Sequence, residues 1–187
     1  MGNEYHLKTP LSAGDIEPLR SGDRVTISGI VYTARDAAHR KIMELIEAGK
    51  DLPIPIEGQV IYYVGPSPAP PGRVIGAAGP TTSYRMDPFA PKLLELGLKG
   101  MIGKGKRSKE VIDAMVRHKG VYMAAIGGAG ALMARAIKAA RVVAYEELGP
   151  EAIRELRVES LPAIVVNDTL GNDLYVEGQE KYRILET

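Results

Sequence analysis

The run Gly79-Pro80-Thr81-Thr82-Ser83-Tyr84-Arg85-Met86-Asp87 carries the densest set of anion-binding groups in the chain. A strand that ends in Gly-Pro and delivers Thr-Thr-x-x-Arg just before a helix would set hydroxyls, backbone N–H groups and a guanidinium around one space of carboxylate size. A turn whose threonines cap the helix and whose Arg85 is a solvated charge fits the same residues. Thr33-Ala34-Arg35-Asp36-Ala37-Ala38-His39 repeats the layout, with a strand ending and Arg35 in the first turn of a helix. The positive end of the helix dipole opposes a cation there by ~0.3–1 kcal/mol, so a bound anion would explain the choice. A salt bridge to Asp36 or to another partner explains it equally. His39, without a second ligand in the pattern, reads as a packed or surface histidine rather than an acid–base group or metal ligand.

Two glycine-rich stretches add further candidates. Gly103-Lys104-Gly105-Lys106-Arg107 sets a cation between glycines that let backbone approach a ligand, but it lacks the P-loop pattern and also fits a solvated basic turn. Gly127-Gly128-Ala129-Gly130 opens a helix after a strand, with Glu146 downstream at the separation of a ribose-binding acid. Met133 occupies the third small position of that fingerprint, where it would hinder close helix–strand packing. Tight packing, or a carboxylate at the helix N-terminus, is the better use of those glycines.

The elements needed to present these residues alternate along the chain. Ser12 and Asp15 resemble a capping box for a short helix through Ile16 to Leu19. A strand follows from Val25 to near Thr33, then a helix from Arg35 to Gly49 with Ala38, Ile42, Leu45 and Ile46 on one face. Gln59 to Val64 reads as a strand, and Gly65 to Gly72, with four prolines in eight residues, as an extended crossing. Arg73 to Ala78 reads as the next strand. Asp87 caps a helix with Pro88 in its first turn and Phe89, Leu93 and Leu96 on its core face. Strands at Gly100 to Gly103, Val121 to Ile126 and Arg141 to Tyr145 alternate with helices from Ser108 through Met115 and from Gly130 to Lys138. A helical turn over Pro150 to Leu156 precedes two strands, Leu161 to Asn167 and Leu174 to Glu177. This order indicates an α/β fold with some parallel strands.

Composition narrows the function classes. The 187 residues suffice for one domain with a substantial core, and 45% hydrophobic against 25% charged residues argues for a folded globular chain. With 24 basic and 23 acidic residues the net charge of +1 gives no field for nucleic acid or an anionic membrane. No apolar run of signal-peptide or membrane-span character is present, so a cytoplasmic location is expected. There is no cysteine, hence no disulfide and no thiolate for an iron–sulfur cluster.

Taken in order and spacing, the Thr33 to His39 run, the Gly65-Pro66-Ser67-Pro68 loop, the Gly79 to Asp87 run and Gly103-Lys104-Gly105 resemble the β subunit of class I fumarases, over roughly Leu19 to Gly178. The β subunit of L(+)-tartrate dehydratase shares these motifs. The resemblance implies a swivelling β/α/β domain with a mixed sheet and flanking helices, spanning residues 1–187 as a single fumarase C-terminal-like unit with 1–22 as an N-terminal lead-in. It implies a [4Fe–4S] cluster on a cysteine-bearing α subunit, no cofactor or metal on this chain, and a hetero-oligomer that leaves room for β–β contacts. It places substrate binding on Arg35, Thr81, Arg85 and Lys104, and proton transfer on Thr81. The substrate would be a small dicarboxylate, fumarate or L-malate, with the partner's iron acting as Lewis acid on the departing hydroxyl. Ser83-Tyr84 departs from the small residues usual before the arginine and bears on which diacid is accepted. A dinucleotide-binding oxidoreductase built on Gly128, Gly130 and Glu146, and a non-catalytic scaffold, are the competing classes.

Overall fold

A computed structural model of the chain describes residues 2–184. Met1 and residues 185–187, part of the expected single domain, lie outside the described residues. Strands β1 (Glu4–Lys8), β2 (Arg24–Thr33), β3 (Val60–Tyr62), β4 (Gly100–Gly103) and β5 (Val121–Ala124) lie side by side in that order, all parallel. Two antiparallel strands complete the sheet, β6 (Ile137–Ala144) and the fifteen-residue β7 (Ile153–Asn167). β7 pairs with β6 and β5 along one side and with β2 along the other, which closes β2, β3, β4, β5 and β7 into a ring. The helices are α1 (Ala13–Ile16), α2 (Asp36–Glu47), α3 (Ala90–Glu95), α4 (Lys109–His118), α5 (Gly130–Ala136) and α6 (Leu174–Tyr182). The fold is thus α/β, a mixed sheet with flanking helices. No helix among the described residues is long and apolar enough to cross a membrane.

The central parallel strands are apolar throughout because both of their faces are covered. Successive side chains alternate between two cores, as the period of a strand requires. Val60 and Tyr62 of β3, Ile102 of β4 and Val121 and Met123 of β5 meet Val25, Ile27, Leu156, Leu161 and Val165 inside the ring. Ile61, Met101 and Tyr122 point the other way, onto Ala38 and Ile42 of α2, Leu93 and Leu94 of α3, and Val111 and Met115 of α4. Each of α2, α3 and α4 returns the chain from one parallel strand to the next, so the loops after β2, β3 and β4 emerge on one rim.

Several elements differ from the sequence expectation. The lead-in contains β1, which pairs with β2 from Glu4↔Arg24 to Lys8↔Ser28. Arg73 to Ala78 is no strand. Its backbone is satisfied by a folded-back loop, in which Ser67 N–H donates to the Ala77 carbonyl, Ser67 Oγ accepts from Ala77 N–H, and the Tyr62 hydroxyl donates to the Ala78 carbonyl. Asp87 caps no helix. A 3-10 turn over Ser83–Met86 precedes α3, whose buried residues are Ala90, Leu93 and Leu94, with Leu96 exposed. α5 stops at Ala136, because Ile137 already pairs with Val158 of β7. The helical turn expected to reach Leu156 ends at Glu151, where Arg154 donates to the carbonyls of Gly149, Pro150 and Ala152 and β7 begins. Leu174 to Glu177 starts α6 rather than a strand, since the Asp173 carboxylate accepts from Tyr175 N–H at 2.8 Å and caps the helix.

Candidate functional site

In α/β folds, ligands collect beyond the carboxyl ends of the parallel strands, where backbone ends and helix starts leave room and unsatisfied polar groups. Here that rim carries Arg35 after β2, Gly65 after β3 and Lys104 after β4. Pro80–Thr82 is laced between the strand ends. Val64 bridges Pro80, Thr81 N–H donates to the Tyr63 carbonyl at 2.7 Å, and Lys104 N–H donates to the Thr81 carbonyl at 3.2 Å. Ser83 N–H then donates to the Lys104 carbonyl at 2.9 Å. Thr81 and Lys104 are therefore fixed relative to each other by backbone.

Arg35 and Arg85 meet through Asp36. Arg35 stands one residue before α2, at the N-cap, and not in the first turn. Its Nη2 lies 3.1 Å from Glu151 Oε1 and 4.0 Å from Asp36 Oδ1, so the salt-bridge explanation of a cation at this helix start is the one realised. Glu151 also accepts from Ala37 N–H at 3.0 Å, which answers the positive end of α2. Arg85 Nη2 lies 2.7 Å from Asp36 Oδ2. Arg35 Nε and Asp36 Oδ1 remain buried without a hydrogen-bond partner, so the cluster keeps one donor and one acceptor in reserve. A Cβ on Gly65 would lie 2.7 Å from Arg35 Nη1, so a larger residue there would displace the guanidinium. The rim is open to solvent, with the Arg85 side chain 42% exposed and Lys104 exposed.

His39 is not brought to this rim. Its ring is fully buried, against Tyr63 edge-on and stacked with Phe89, and Nδ1 lies 2.8 Å from the Arg35 carbonyl. Burial lowers its pKa from 6.5 to about 4, the bond to the Arg35 carbonyl opposing that shift only in part. The unfolded chain then binds a proton between these values that the folded chain refuses. The stability held by neutral His39 is complete above pH 6.5 and is lost as pH falls toward about 4. We expect His39 to contribute roughly 2 kcal/mol of lost stability between pH 7 and pH 5. His39→Gln should flatten that dependence in urea titrations at the two pH values, and an unaltered slope would show that another group governs it.

Sequence reasoning missed the groups that hold the rim together: Asp36 as a bridge, Glu151, and the pair Asp87–Arg107. Asp36 and Arg107 sit inside the motifs already singled out, so their charge beside a functional cation was the available signal. Glu151 has no such signal, because only the fold brings it to Arg35.

The glycine-rich run does not build a dinucleotide site. The strand after α5 is β6, which runs antiparallel to β7 and is not a parallel neighbour of β5, and Glu146 opens a 3-10 turn. Gly130 serves close packing instead, whereas a Cβ on Gly127 or Gly128 would meet nothing within 4 Å. Ala78 N–H donates to the Gly130 carbonyl at 3.0 Å, and a Cβ on Gly130 would lie 3.1 Å from Gly79 N.

Comparison with known proteins places the chain in a family. A sequence family described as the fumarase C-terminus matches residues 2–178. The anaerobic class I fumarate hydratase of Escherichia coli is 44% identical over 154 residues, covering 81% of this chain and 28% of that protein. Fumarate hydratase 2 of Leishmania major is 42% identical over 156 residues, covering 82% and 28%. A protein of Methanocaldococcus jannaschii named as a putative L(+)-tartrate dehydratase subunit beta is 37% identical over 177 residues, covering 91% of each chain. The chain thus spans little more than a quarter of the fumarate hydratases it matches.

Proposed function

The chain belongs to the fumarase C-terminus family, and on that premise we propose that it is the β subunit of a cytoplasmic hydro-lyase interconverting fumarate and L-malate. The observation that carries this reading is the rim on which Arg35, Thr81, Arg85 and Lys104 are tied together by Asp36 and by the backbone bonds of Thr81 and Lys104.

Removing water from malate begins with loss of a proton from the carbon beside a carboxylate, and the resulting charge spreads onto that carboxylate. Cations fixed there stabilise the transition state more than the ground state. In this proposal Arg35, Arg85 and Lys104 clamp the two carboxylates, and the Thr81 hydroxyl contacts the substrate and moves the proton. A cation held against that hydroxyl would favour the negatively charged form that such a role demands.

A [4Fe–4S] cluster is held by thiolates, and this chain has no cysteine, so its residues do not fit that group. The proposal assigns the cluster to a cysteine-bearing α partner in a hetero-oligomer. The L(+)-tartrate dehydratase reading is favoured by one observation, the 91% coverage of both chains in the Methanocaldococcus match. Tyr84, 65% exposed beside Arg85, is the residue to examine for the choice of diacid.

The test is to co-purify the chain anaerobically with such an α partner and assay fumarate, L-malate and L(+)-tartrate. The complex should turn over one of these diacids and the isolated chain none. A stable complex inert toward all three, or a fully active isolated chain, would refute the proposal.

A further inference from the structure

Arg107 is buried to the end of its side chain, which is 0% exposed, in a loop that otherwise presents Lys104 and Lys106 to solvent. Its Nε donates to Asp87 Oδ1 at 2.7 Å, and the other Asp87 oxygen accepts from Ser108 N–H at 2.7 Å. The guanidinium carbon lies 5.4 Å from the Tyr63 ring centroid and 5.0 Å from that of Tyr122. The Tyr122 hydroxyl donates to the Gly105 carbonyl at 2.9 Å and lies 2.9 Å from Ser83 Oγ, so Ser83 supplies the proton of that second bond. A lysine would keep the charge but could not offer the planar fork that reaches Asp87 while lying against two rings.

These contacts join two segments. Asp87 follows Arg85 by two residues, and Arg107 follows Lys104 by three. Backbone bonds between Ser83, Lys104 and Thr81 tie the near ends of the same segments. We infer that Arg107, pinned by Asp87 and held between Tyr63 and Tyr122, is a positioning residue that sets the spacing of Lys104 against Thr81 and Arg85. The inference rests on the proposed function for its catalytic consequence, while the geometric consequence stands independently. Arg107 lies beneath the rim and touches no substrate in this scheme, so its effect passes through Lys104.

The test is Arg107→Lys in the full chain, read first by amide hydrogen exchange. Exchange at the Ser83 and Lys104 amides should quicken by about tenfold, while the β3 and β4 ladder amides of Ile61 and Ile102 keep their protection. In the complex with the α partner, kcat should fall by roughly 10–100-fold with KM held within about threefold. Unchanged exchange at Ser83 and Lys104, exchange that quickens equally across the ladders, or an unchanged kcat overturns the inference. Should Arg107→Lys fail to fold, Tyr122→Phe removes the hydroxyl joining Ser83 to Gly105 at nearly constant volume and is judged on the same two readouts. Localised exchange in a variant whose wild-type complex turns over no diacid would uphold the positioning and sink the functional reading.

Discussion

Replacing Arg85 by alanine is expected to lower kcat/KM of the assembled enzyme by about 10²–10³-fold, the loss seen when one donor to a developing oxyanion is removed. That is roughly 3–4 kcal/mol of transition-state stabilisation. The fold should survive. The Arg85 side chain is 42% exposed, and its 2.7 Å pair with Asp36 is of the surface kind that contributes less than about 1 kcal/mol. Asp36 loses its one hydrogen-bonded cation but keeps the charges of Arg35 and Arg40 nearby, each at 4.0 Å. Kinetic loss without thermal loss separates a substrate clamp from a scaffold. Arg85→Lys should recover part of the rate, because charge remains while the bidentate geometry does not. A kcat/KM for Arg85→Ala close to that of the wild type would take this residue out of the mechanism and favour the scaffold reading.

The elements that carry the candidate site were legible in the sequence wherever their signal was local. Thr33 to His39 joins a strand end to a helix, Gly79 to Asp87 leads a loop into a 3-10 turn, and such junctions state their chemistry in adjacent residues. β4 was read over its observed range, Gly100–Gly103, because its run is short, apolar and bounded by glycine and lysine. α2 and α4 showed helical spacing with Ala38 and Ile42, and with Val111 and Met115, on their buried faces.

What escaped was set by distant partners. β7 was expected only from Leu161, yet it begins at Ile153, because β2 on one side and β6 on the other pair with Glu155–Val158 and outweigh the local helical preference. Leu174-Tyr175-Val176 has strand composition, yet a single cap at Asp173 turns it into a helix. Asp87 was available for capping and is used instead for Arg107. A buried guanidinium without a carboxylate is far more costly than an uncapped helix, so the ion pair wins.

That same comparison sets the size of the second large effect, the loss of stability in Asp87→Ala. The substitution leaves the Arg107 guanidinium at 0% exposure with its Nε acceptor gone, and leaves Ser108 N–H without its 2.7 Å acceptor. Breaking a buried pair from one side costs about 3–5 kcal/mol. The two ring contacts persist in the variant, but they were present before it and offset nothing new. A fall of at least ~3 kcal/mol is expected, equivalent to roughly 6–12 °C in Tm for a chain of this size. The double variant Asp87→Leu/Arg107→Met removes both charges and fills similar volume. It should regain most of the stability, because apolar replacement of a buried pair is often neutral. Its turnover should stay low, since only the backbone bonds among Thr81, Ser83 and Lys104 then join the two segments. Thermal melting of the three proteins, followed by assay of each assembled with its partner, separates the two roles. Asp87→Ala melting within about 1 °C of the wild type would mean that water or a rearranged partner satisfies Arg107, and the pair would then hold neither the fold nor the site.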